Sequence, residues 1–247
     1  MSIGSEEELL GLRAAGRVVA KVLDAMKAAV REGITTAELD ELGARVMAAH
    51  GARSAPKLSY AFPGATCISV NDEAVHGVPG ARVLRRGDLV SLDVTVELDG
   101  FYADAAVTVG VPPVAEEAAR LVACAEAAFW KGARAARHGR RLYDVGGAVE
   151  DEVARRGFEV VRDVCGHGVG RAIHEEPSVL NHRDGRVTGR VHAGLVLALE
   201  PIVSVSARRT RETGDGWTLA SEDGSLTAHH EHTFVVTRGA PVILTVP

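Results

Sequence analysis

Five side chains of the kinds that bind divalent metals lie on strand-like segments or at their ends. They are Asp93, Asp104, His167, Glu200 and Glu231. Carboxylates that converge in a folded interior repel one another unless a cation lies between them. Four carboxylates and one imidazole therefore predict a carboxylate-rich metal site, and we expect it to hold two ions.

The first two aspartates belong to one predicted β-hairpin. The segment around Asp93 alternates apolar and polar side chains, and Asp99-Gly100 is a strong two-residue turn signal. With these two residues in the turn, Thr95 lies opposite Asp104, and the two aspartates share a face as diagonal neighbours about 7 Å apart. Their carboxylates can then span a metal pair about 3.5–4 Å apart. Two solvated aspartates are the alternative, but the apolar return strand favours burial.

A second group of candidates surrounds a glycine-rich segment at residues 166–170. Glycine at every second position lets the backbone turn sharply or approach a site closely. His174 follows His167 by seven residues, a spacing that excludes the HExxH helix of zincins. Glu200 ends one apolar run and Glu231 enters another, where a carboxylate is rarely buried without a partner.

The remaining histidines near these segments have ordinary alternatives. His76 stands before a turn and, taken alone, is typical of a loop histidine. The cluster at residues 229–232 resembles a metal-binding tract. Strand alternation, however, places His230 and His232 on the face opposite Glu231, which predicts surface or supporting positions for them.

Composition and charge exclude several classes of function. The chain has 247 residues, a net charge of −5 and 46% hydrophobic residues, which is typical of a soluble globular protein and not of a general nucleic-acid or anionic-membrane binder. Three cysteines without paired spacing indicate a reducing compartment. The acidic first residues contain no apolar stretch of signal-peptide length, and no window approaches a membrane span. We therefore expect a cytoplasmic protein.

The elements that must position the candidates indicate an α+β fold. Capping signals at Ser5 and Thr35 begin two helices that end near Gly33 and His50, and a loop follows through Pro56. Two further helices are predicted over residues 114–138 and 143–156. Strands with an antiparallel pattern are predicted over residues 67–70, 90–109, 194–199, 202–205, 217–220, 227–237 and 242–246. The helices come in blocks and no linker separates the halves, so we predict a single domain over residues 1–247. The order helix, short helix, glycine, strand occurs twice, a hint of internal duplication.

Taken together, these motifs resemble type I methionine aminopeptidases. The resemblance runs in order from about Ser5 to Ile243. It is carried by the segments CISVND (67–72), VHGVP (75–79), Asp93 to Asp104, GHGVGR (166–171), HEEP (174–177), LEP (199–201), DGWT (215–218) and EHT (231–233). The interval between His167 and Glu200 lacks the large insertion of type II enzymes. The resemblance implies the pita-bread (creatinase/aminopeptidase-like) α+β fold, a pseudo-twofold arrangement with an antiparallel sheet and helices on the outside.

The resemblance also implies roles for individual residues. Five residues match the metal ligands: Asp93, Asp104, His167, Glu200 and Glu231. Of these, Asp104 and Glu231 match the ligands that bridge both ions. Three residues form the implied catalytic set, the histidines contacting the substrate and the glutamate moving a proton: His76, His174 and Glu200. Three match the apolar pocket for the methionine side chain: Phe62, Cys67 and Trp217. Ile173 replaces a usual aromatic residue, and Pro56 and Ser59 stand where Cys and Tyr are frequent, which leaves the pocket's shape open.

The implied activity is removal of N-terminal methionine from nascent proteins and peptides when the second residue is small. Two divalent ions, expected to be Mn, Fe or Co, would activate a bridging hydroxide. The expected partners are nascent polypeptide N-termini, with the ribosome as a further candidate. We expect no membrane and no specific nucleic acid as partners, and we expect a monomer. X-Pro aminopeptidases and prolidases share the fold and ligand pattern but usually carry a large N-terminal domain, and they are the alternative. A non-enzymatic, partner-binding relative is a third possibility, although such proteins tend to lose metal ligands.

Overall fold

The helices of the protein begin at the capping residues that the sequence predicts. In the computed structural model, which describes residues 1–246, Ser5 accepts a hydrogen bond from the Glu8 amide, and Thr35 and Glu38 form a reciprocal capping box. The helices are α1 (Glu6–Ala29), α2 (Thr36–Ala49), α3 (Ala55–Tyr60), α4 (Glu116–Ala135) and α5 (Leu142–Arg155). The predictions for α1, α2, α4 and α5 are confirmed to within one turn.

The short helix α3 lies where the sequence predicts a loop, and that prediction is wrong. The Ser54 hydroxyl caps the helix by accepting a hydrogen bond from the Lys57 amide, and Pro56 lies in its first turn. A proline there loses no helical hydrogen bond, because the first amides of a helix have no partner within it. Ala61 ends the helix in the left-handed region, with φ of 57°.

Apart from β4 and β5, which have ten residues each, the strands are short. Every pairing among the strands of residues 1–246 is antiparallel, as the sequence predicts. The first half contains β1 (Arg53–Ser54), β2 (Cys67–Val70), β3 (Glu73–Val75), β4 (Leu89–Leu98) and β5 (Phe101–Gly110). The second half contains β6 (Glu159–Val160), β7 (Gly166–Gly168), β8 (Glu175–Val179), β9 (Val196–Leu199), β10 (Ile202–Ser204), β11 (Thr210–Glu212), β12 (Leu219–Ser221), β13 (Thr227–His229), β14 (His232–Val235) and β15 (Val242–Ile243). Strands β1, β2, β4 and β5 form one sheet; β8, β7, β9, β14 and β15 form another. Two three-stranded sheets, β13-β10-β6 and β11-β12-β3, lie beside them.

The β4–β5 hairpin has the predicted register. Thr95 pairs with Asp104, and Asp93 pairs with Ala106. The turn residues Asp99 and Gly100 have φ of 51° and 79°, the left-handed conformation that a tight two-residue hairpin requires. Because side chains alternate along a strand, Asp93 and Asp104 lie on one face of this hairpin, as predicted.

The strand predicted over residues 227–237 is divided into β13 and β14, so that prediction is wrong. Strand β13 pairs with β10, whereas β14 pairs with β9 in another sheet. Between them, the Glu231 amide donates to the Ala106 carbonyl at 2.9 Å, and the Ala106 amide donates back at 3.2 Å. This pair of hydrogen bonds holds Glu231 beside β5, which is the strand that carries Asp104.

His230 and His232, which lie where β13 ends and β14 begins, are in contact with helix α4. His230 and His232 pack against Phe129 of α4, with ring centroids 5.5 and 5.1 Å apart, and both side chains are half-buried. The His232 Nδ1 lies 2.8 Å from the Thr245 hydroxyl. The alternative of a surface position for these two rings is therefore wrong; they belong to the packing between α4 and the sheet.

Two large hydrophobic cores lie one under each helix pair, and a smaller third cluster surrounds Val75 and Ile202. Helices α1 and α2 bury Leu12, Met26 and Leu39 against the β4–β5 sheet. Helices α4 and α5 bury Phe129 and Val149 against the sheet that contains β9 and β14. The helices thus cover the sheets from outside, as the α+β prediction requires. Within residues 1–246, no helix has both the length and the apolar character needed to cross a bilayer.

Candidate active site

One cavity of about 260 Å³ is lined by all ten side chains that the sequence analysis selected. They are the five metal-ligand candidates Asp93, Asp104, His167, Glu200 and Glu231, with His76, His174, Phe62, Cys67 and Trp217. The donors come from separate elements: two from the β4–β5 hairpin, one from β7, one directly after β9 and one between β13 and β14. Both large sheets therefore contribute to a single site.

Three of the metal-ligand candidates lie close enough to hold one cation together, and the other two line the same cavity. Asp104, His167 and Glu231 are buried, and each offers a ligand atom within 4.8 Å of the other two. The His167 Nε2 atom lies 3.9 Å from Asp104 Oδ2 and 3.6 Å from Glu200 Oε1. Asp93 and Asp104 lie on one face of the β4–β5 hairpin, and both line the same cavity. Five donors thus converge on one small volume.

Burial makes these carboxylates costly to ionise. Burial, followed by the charges of neighbouring carboxylates, raises the pKa of Asp93, Glu200 and Glu231 well above the usual range. Burial also raises the pKa of Asp104 to about 6. By contrast, burial lowers the pKa of His167 to about 4, which leaves its ring neutral at pH 7. A cation placed among these groups would remove the penalty on the carboxylates and could bind the neutral imidazole.

The hydrogen bonds within the cluster leave ligand atoms available for a metal. Asp104 Oδ1 and Glu231 Oε1 are buried and have no hydrogen-bond partner among residues 1–246, which is costly for a carboxylate oxygen. The His167 Nδ1 lies 2.8 Å from the Gly168 carbonyl, which can only accept, so Nδ1 carries the proton and Nε2 presents its lone pair to the carboxylates. Oxygen donors with one imidazole suit Mn, Fe or Co better than Cu. The residues present therefore fit a metal centre.

His229 is a residue of this site that the sequence analysis missed. Its Nε2 atom lies 3.6 Å from Glu231 Oε2 and 3.9 Å from Glu200 Oε2, and it has no hydrogen-bond partner in the described part of the chain. Burial lowers the pKa of this histidine to about 3, so the ring is neutral. Strand alternation could have identified this residue, because side chains two positions apart lie on one face of a strand, and this rule places His229 on the same face as Glu231.

The wall beside the acidic cluster is apolar. The rings of Phe62 and Trp217 meet edge to face with centroids 5.2 Å apart. Cys67 and Ile173 are buried next to them, and burial raises the pKa of the Cys67 thiol well above its usual range, so it remains neutral. Pro56 also lines the cavity, as its position in the sequence suggests. This half of the cavity suits an uncharged aliphatic or thioether group.

Tyr60 is the aromatic residue of α3 that lines the cavity. Ser59 is not among the residues that line the cavity, whereas Tyr60 is. Its hydroxyl lies 2.5 Å from the Nδ1 atom of His174. Sequence reasoning missed Tyr60 because it assigned this segment to a loop and compared only Ser59 with the family pattern.

A hydrogen-bonded loop holds Trp217 and His76 in place. Asp215 Oδ1 accepts from the amides of Trp217 and Thr218, at 2.9 and 2.8 Å. The Thr218 hydroxyl donates to Asp215 Oδ2 at 2.6 Å and accepts from the Val78 amide at 3.3 Å. His76 itself has φ of 58°, a strained conformation for a residue other than glycine, and such strain is concentrated at functional sites.

His76 and His174 line the cavity beside the carboxylate cluster, and both are neutral at pH 7. Desolvation lowers the pKa of His76 and of His174. The ring of His174 meets that of His167 at a centroid distance of 4.3 Å and an angle of 73°. A neutral imidazole has one N–H group, so each ring can donate one hydrogen bond to a substrate oxygen.

Comparison with known proteins agrees with this geometry. Residues 11–238 match metallopeptidase family M24. A Bacillus subtilis protein named methionine aminopeptidase 2 is 42% identical over 99% of both chains. A solved structure of methionine aminopeptidase from Rickettsia prowazekii superimposes with a TM-score of 0.95 at 36% identity and covers 100% of both chains. Prolidase from Pyrococcus furiosus has a TM-score of 0.79 at 21% identity over 99% of this chain and 65% of its own, a similarity that shows a common fold.

Proposed function

The chain belongs to metallopeptidase family M24, and from this membership we propose that its acidic cavity hydrolyses the peptide bond that follows an N-terminal methionine. The protein is a metal-dependent aminopeptidase. The observation that carries this function is the convergence of five metal-binding side chains beside an apolar pocket. One half of the cavity can activate water and the other can hold an uncharged first residue.

We expect two divalent ions, Mn, Fe or Co, held by the residues of the cluster: Asp93, Asp104, His167, Glu200 and Glu231. Asp104 Oδ1 and Glu231 Oε1, which have no partner within residues 1–246, would be available to hold these ions. When bound, such ions lower the pKa of water and polarise a carbonyl, which supplies a nucleophile near neutral pH. His229 lies against Glu231 and Glu200 and would orient these two ligands.

The other residues of the cavity handle charge and protons. His174 and His76 donate hydrogen bonds to the carbonyl oxygen as negative charge develops on it. Glu200 would take the proton of the attacking water and pass it to the leaving amine, a role supported by its position on the cavity beside His167. The free α-amino group of the substrate lies near Asp93, which restricts cleavage to N-termini. The presence of all four side chains on one cavity supports these roles.

The preference for methionine is supported by the apolar wall. An unbranched thioether is flexible and packs well on aromatic rings, and Phe62 and Trp217 present two rings beside the Cys67 thiol. Ile173 in place of a ring makes this wall less aromatic, so norleucine or leucine would be released slowly. Tyr60 and His174, joined by a hydrogen bond, stand beside this space and limit the second residue of the substrate to a small side chain.

The alternative activities are less well supported. Similarity to the prolidase is 21% and supports only the fold, whereas similarity to methionine aminopeptidases extends over nearly the whole chain at 42%. A partner-binding relative without activity would not need five convergent metal-binding side chains. We therefore do not favour an X-Pro peptidase or a non-enzymatic role.

The setting of the reaction is also proposed. Nascent polypeptide N-termini are the substrates, met at the ribosome in the cytoplasm, and a monomer suffices because one chain supplies all five donors. The free thiols Cys67, Cys124 and Cys165 are compatible with a reducing compartment.

A panel of tripeptides tests the proposed activity. With Mn²⁺ or Co²⁺, the protein is expected to release methionine from Met-Ala-Ser and Met-Gly-Ser and to leave Met-Leu-Ser and Met-Lys-Ser intact, as measured by mass spectrometry. Asp104→Asn serves as the inactive control. Preferential cleavage of Xaa-Pro peptides, whatever their first residue, would assign the chain to the X-Pro peptidases instead.

A further inference from the structure

The side chain of Tyr60 is hydrogen-bonded to the ring of His174. Tyr60 is the last residue of α3, its side chain is 46% exposed at the cavity, and its hydroxyl lies 2.5 Å from His174 Nδ1. The two rings are 5.6 Å apart at an angle of 36°. Within residues 1–246, this is the only hydrogen bond to the His174 ring. The ring of His167, at 4.3 Å, supports the imidazole by packing alone.

The fold sets the position of the Tyr60 hydroxyl through a capped helix. Ser54 accepts from the Lys57 amide and donates to the Ala65 carbonyl at 2.7 Å, which ties the start of α3 to the chain that leaves it. Pro56 and Tyr60 are four residues apart and therefore share the helix face that lines the cavity. The hydroxyl is thus carried by a regular element and not by a loop.

The direction of the hydrogen bond decides what His174 can do. A neutral imidazole carries one proton, so either Nδ1–H donates to the tyrosine oxygen or the tyrosine donates to a bare Nδ1. Only in the second arrangement does Nε2 carry a proton that it can donate to a substrate. Partial burial raises the pKa of Tyr60, so the phenol keeps its proton and is available as a donor.

We propose that Tyr60 is a positioning residue that donates its hydroxyl proton to His174 Nδ1, thereby holding His174 in the Nε2–H form and aiming that N–H at the scissile carbonyl. The proposal rests on the proposed function, since His174 acts on the carbonyl only there. The hydrogen bond itself exists independently of the reaction. Tyr60 acts through His174, so its contribution disappears when His174 is absent.

Tyr60→Phe tests this inference because it removes one oxygen atom and keeps the ring. Assayed with Met-Ala-Ser and Mn²⁺, the variant is expected to show a kcat roughly 3- to 10-fold lower, the range for one neutral hydrogen bond. KM and bound metal are expected to remain as in the wild type. Tyr143→Phe, the same change on α5 and outside the cavity, is the matched control and is expected to have no effect.

A double-mutant cycle separates positioning from a general structural role. In a His174→Ala background, Tyr60→Phe is expected to cause no further loss of kcat, because the group it orients is gone. An equal further loss would overturn the proposal, as would an unchanged kcat in the single variant or a change confined to KM. The last result would make Tyr60 a substrate-binding group.

NMR of the imidazole nitrogens in the metal-free protein distinguishes failure of this inference from failure of the proposed function. His174 is expected to be in the Nε2–H form in the wild type and in a mixture of forms in Tyr60→Phe. An Nδ1–H form in the wild type, or the same form in both proteins, overturns the inference whatever the enzymatic activity. Absence of methionine release in the wild type, with these spectra as expected, would overturn only the proposed function.

Discussion

Asp104→Asn is expected to stabilise the metal-free protein while destroying its response to metal. Asp104 is buried, one of its oxygens has no partner within residues 1–246, and it shares a hairpin face and a cavity with Asp93. The amide has the same shape, carries no charge and can donate to Asp93. It therefore removes a repulsive charge from the metal-free cavity, yet it is a poorer ligand for a divalent ion.

The size of the effect follows from the pKa of Asp104, which burial raises from 3.8 to about 6. Since the folded-state value is the higher one, the folded protein binds more protons than the unfolded chain between about pH 4 and 6, and its stability falls as pH rises through that window. Above pH 6 the full cost is present, about 3 kcal/mol. For a chain of this size that corresponds to roughly 6–12 °C in Tm.

Thermal unfolding of metal-free wild type and variant at pH 4 and pH 7 measures this effect. The variant is expected to be more stable at pH 7 and similar to the wild type at pH 4. Mn²⁺ at about 100 times its Kd is expected to stabilise the wild type by about 2.7 kcal/mol and the variant far less. Asp151→Asn, which removes an exposed charge paired with Arg183 at 2.6 Å, is the control and is expected to lose under about 1 kcal/mol. A metal-free Asp104→Asn protein less stable than the wild type at pH 7, or stabilised equally by Mn²⁺, would refute the reasoning.

Four further outcomes are expected. Chelation should abolish methionine release and Mn²⁺, Fe²⁺ or Co²⁺ should restore it; full activity in metal-free protein would end the metallopeptidase assignment. His174→Ala should lower kcat roughly 100- to 1000-fold with bound metal unchanged by elemental analysis, because it removes one donor to a developing oxyanion; loss of metal would instead make His174 a ligand. His229→Leu should weaken the affinity for Mn²⁺ roughly 10-fold, as measured by calorimetry. His229→Gln, which can still donate a hydrogen bond to Glu231, should weaken it less. An affinity of His229→Leu equal to that of the wild type would exclude a role of His229 in orienting Glu231. Uptake of Mn²⁺ should weaken as pH falls through about 6, where protons compete for Asp104, and constant affinity from pH 5 to 7 would contradict this.

Local signals were sufficient for the elements that carry half of the site. Capping residues at Ser5 and Thr35 act on amides three positions away, and the Asp99-Gly100 turn sets the pairing of the strands on either side. The register that places Asp93 and Asp104 on one face therefore follows from the sequence alone. His167, Glu200 and Glu231 were selected from their residue types and their positions on strands or at strand ends, and the pocket residues Phe62, Cys67 and Trp217 from the resemblance. The roles of all of them in the reaction remain predictions.

Local signals failed where long-range contacts compete with them. The alternation of residues 227–237 predicts one strand, but hydrogen bonds between Glu231 and Ala106 divide it between two sheets. That division brings Glu231 to the hairpin and turns His229 toward two carboxylates. Helix α3 was missed for a local reason: Pro56 indicated a loop, although the Ser54 cap places this proline in the first turn of a helix. That helix carries Tyr60 to the cavity.

The residue types of a metal site, the caps and turns of the major elements and the α+β class can be read from the sequence, because each depends on chemistry within a few positions of the chain. Which of these residues meet depends on contacts between distant segments. Tyr60 and His174 are separated by 114 positions and touch because α3 and the segment after β7 lie on one cavity. The raised pKa values of the acidic cluster have the same origin, since carboxylates that are harmless in water become costly when folding excludes the water around them.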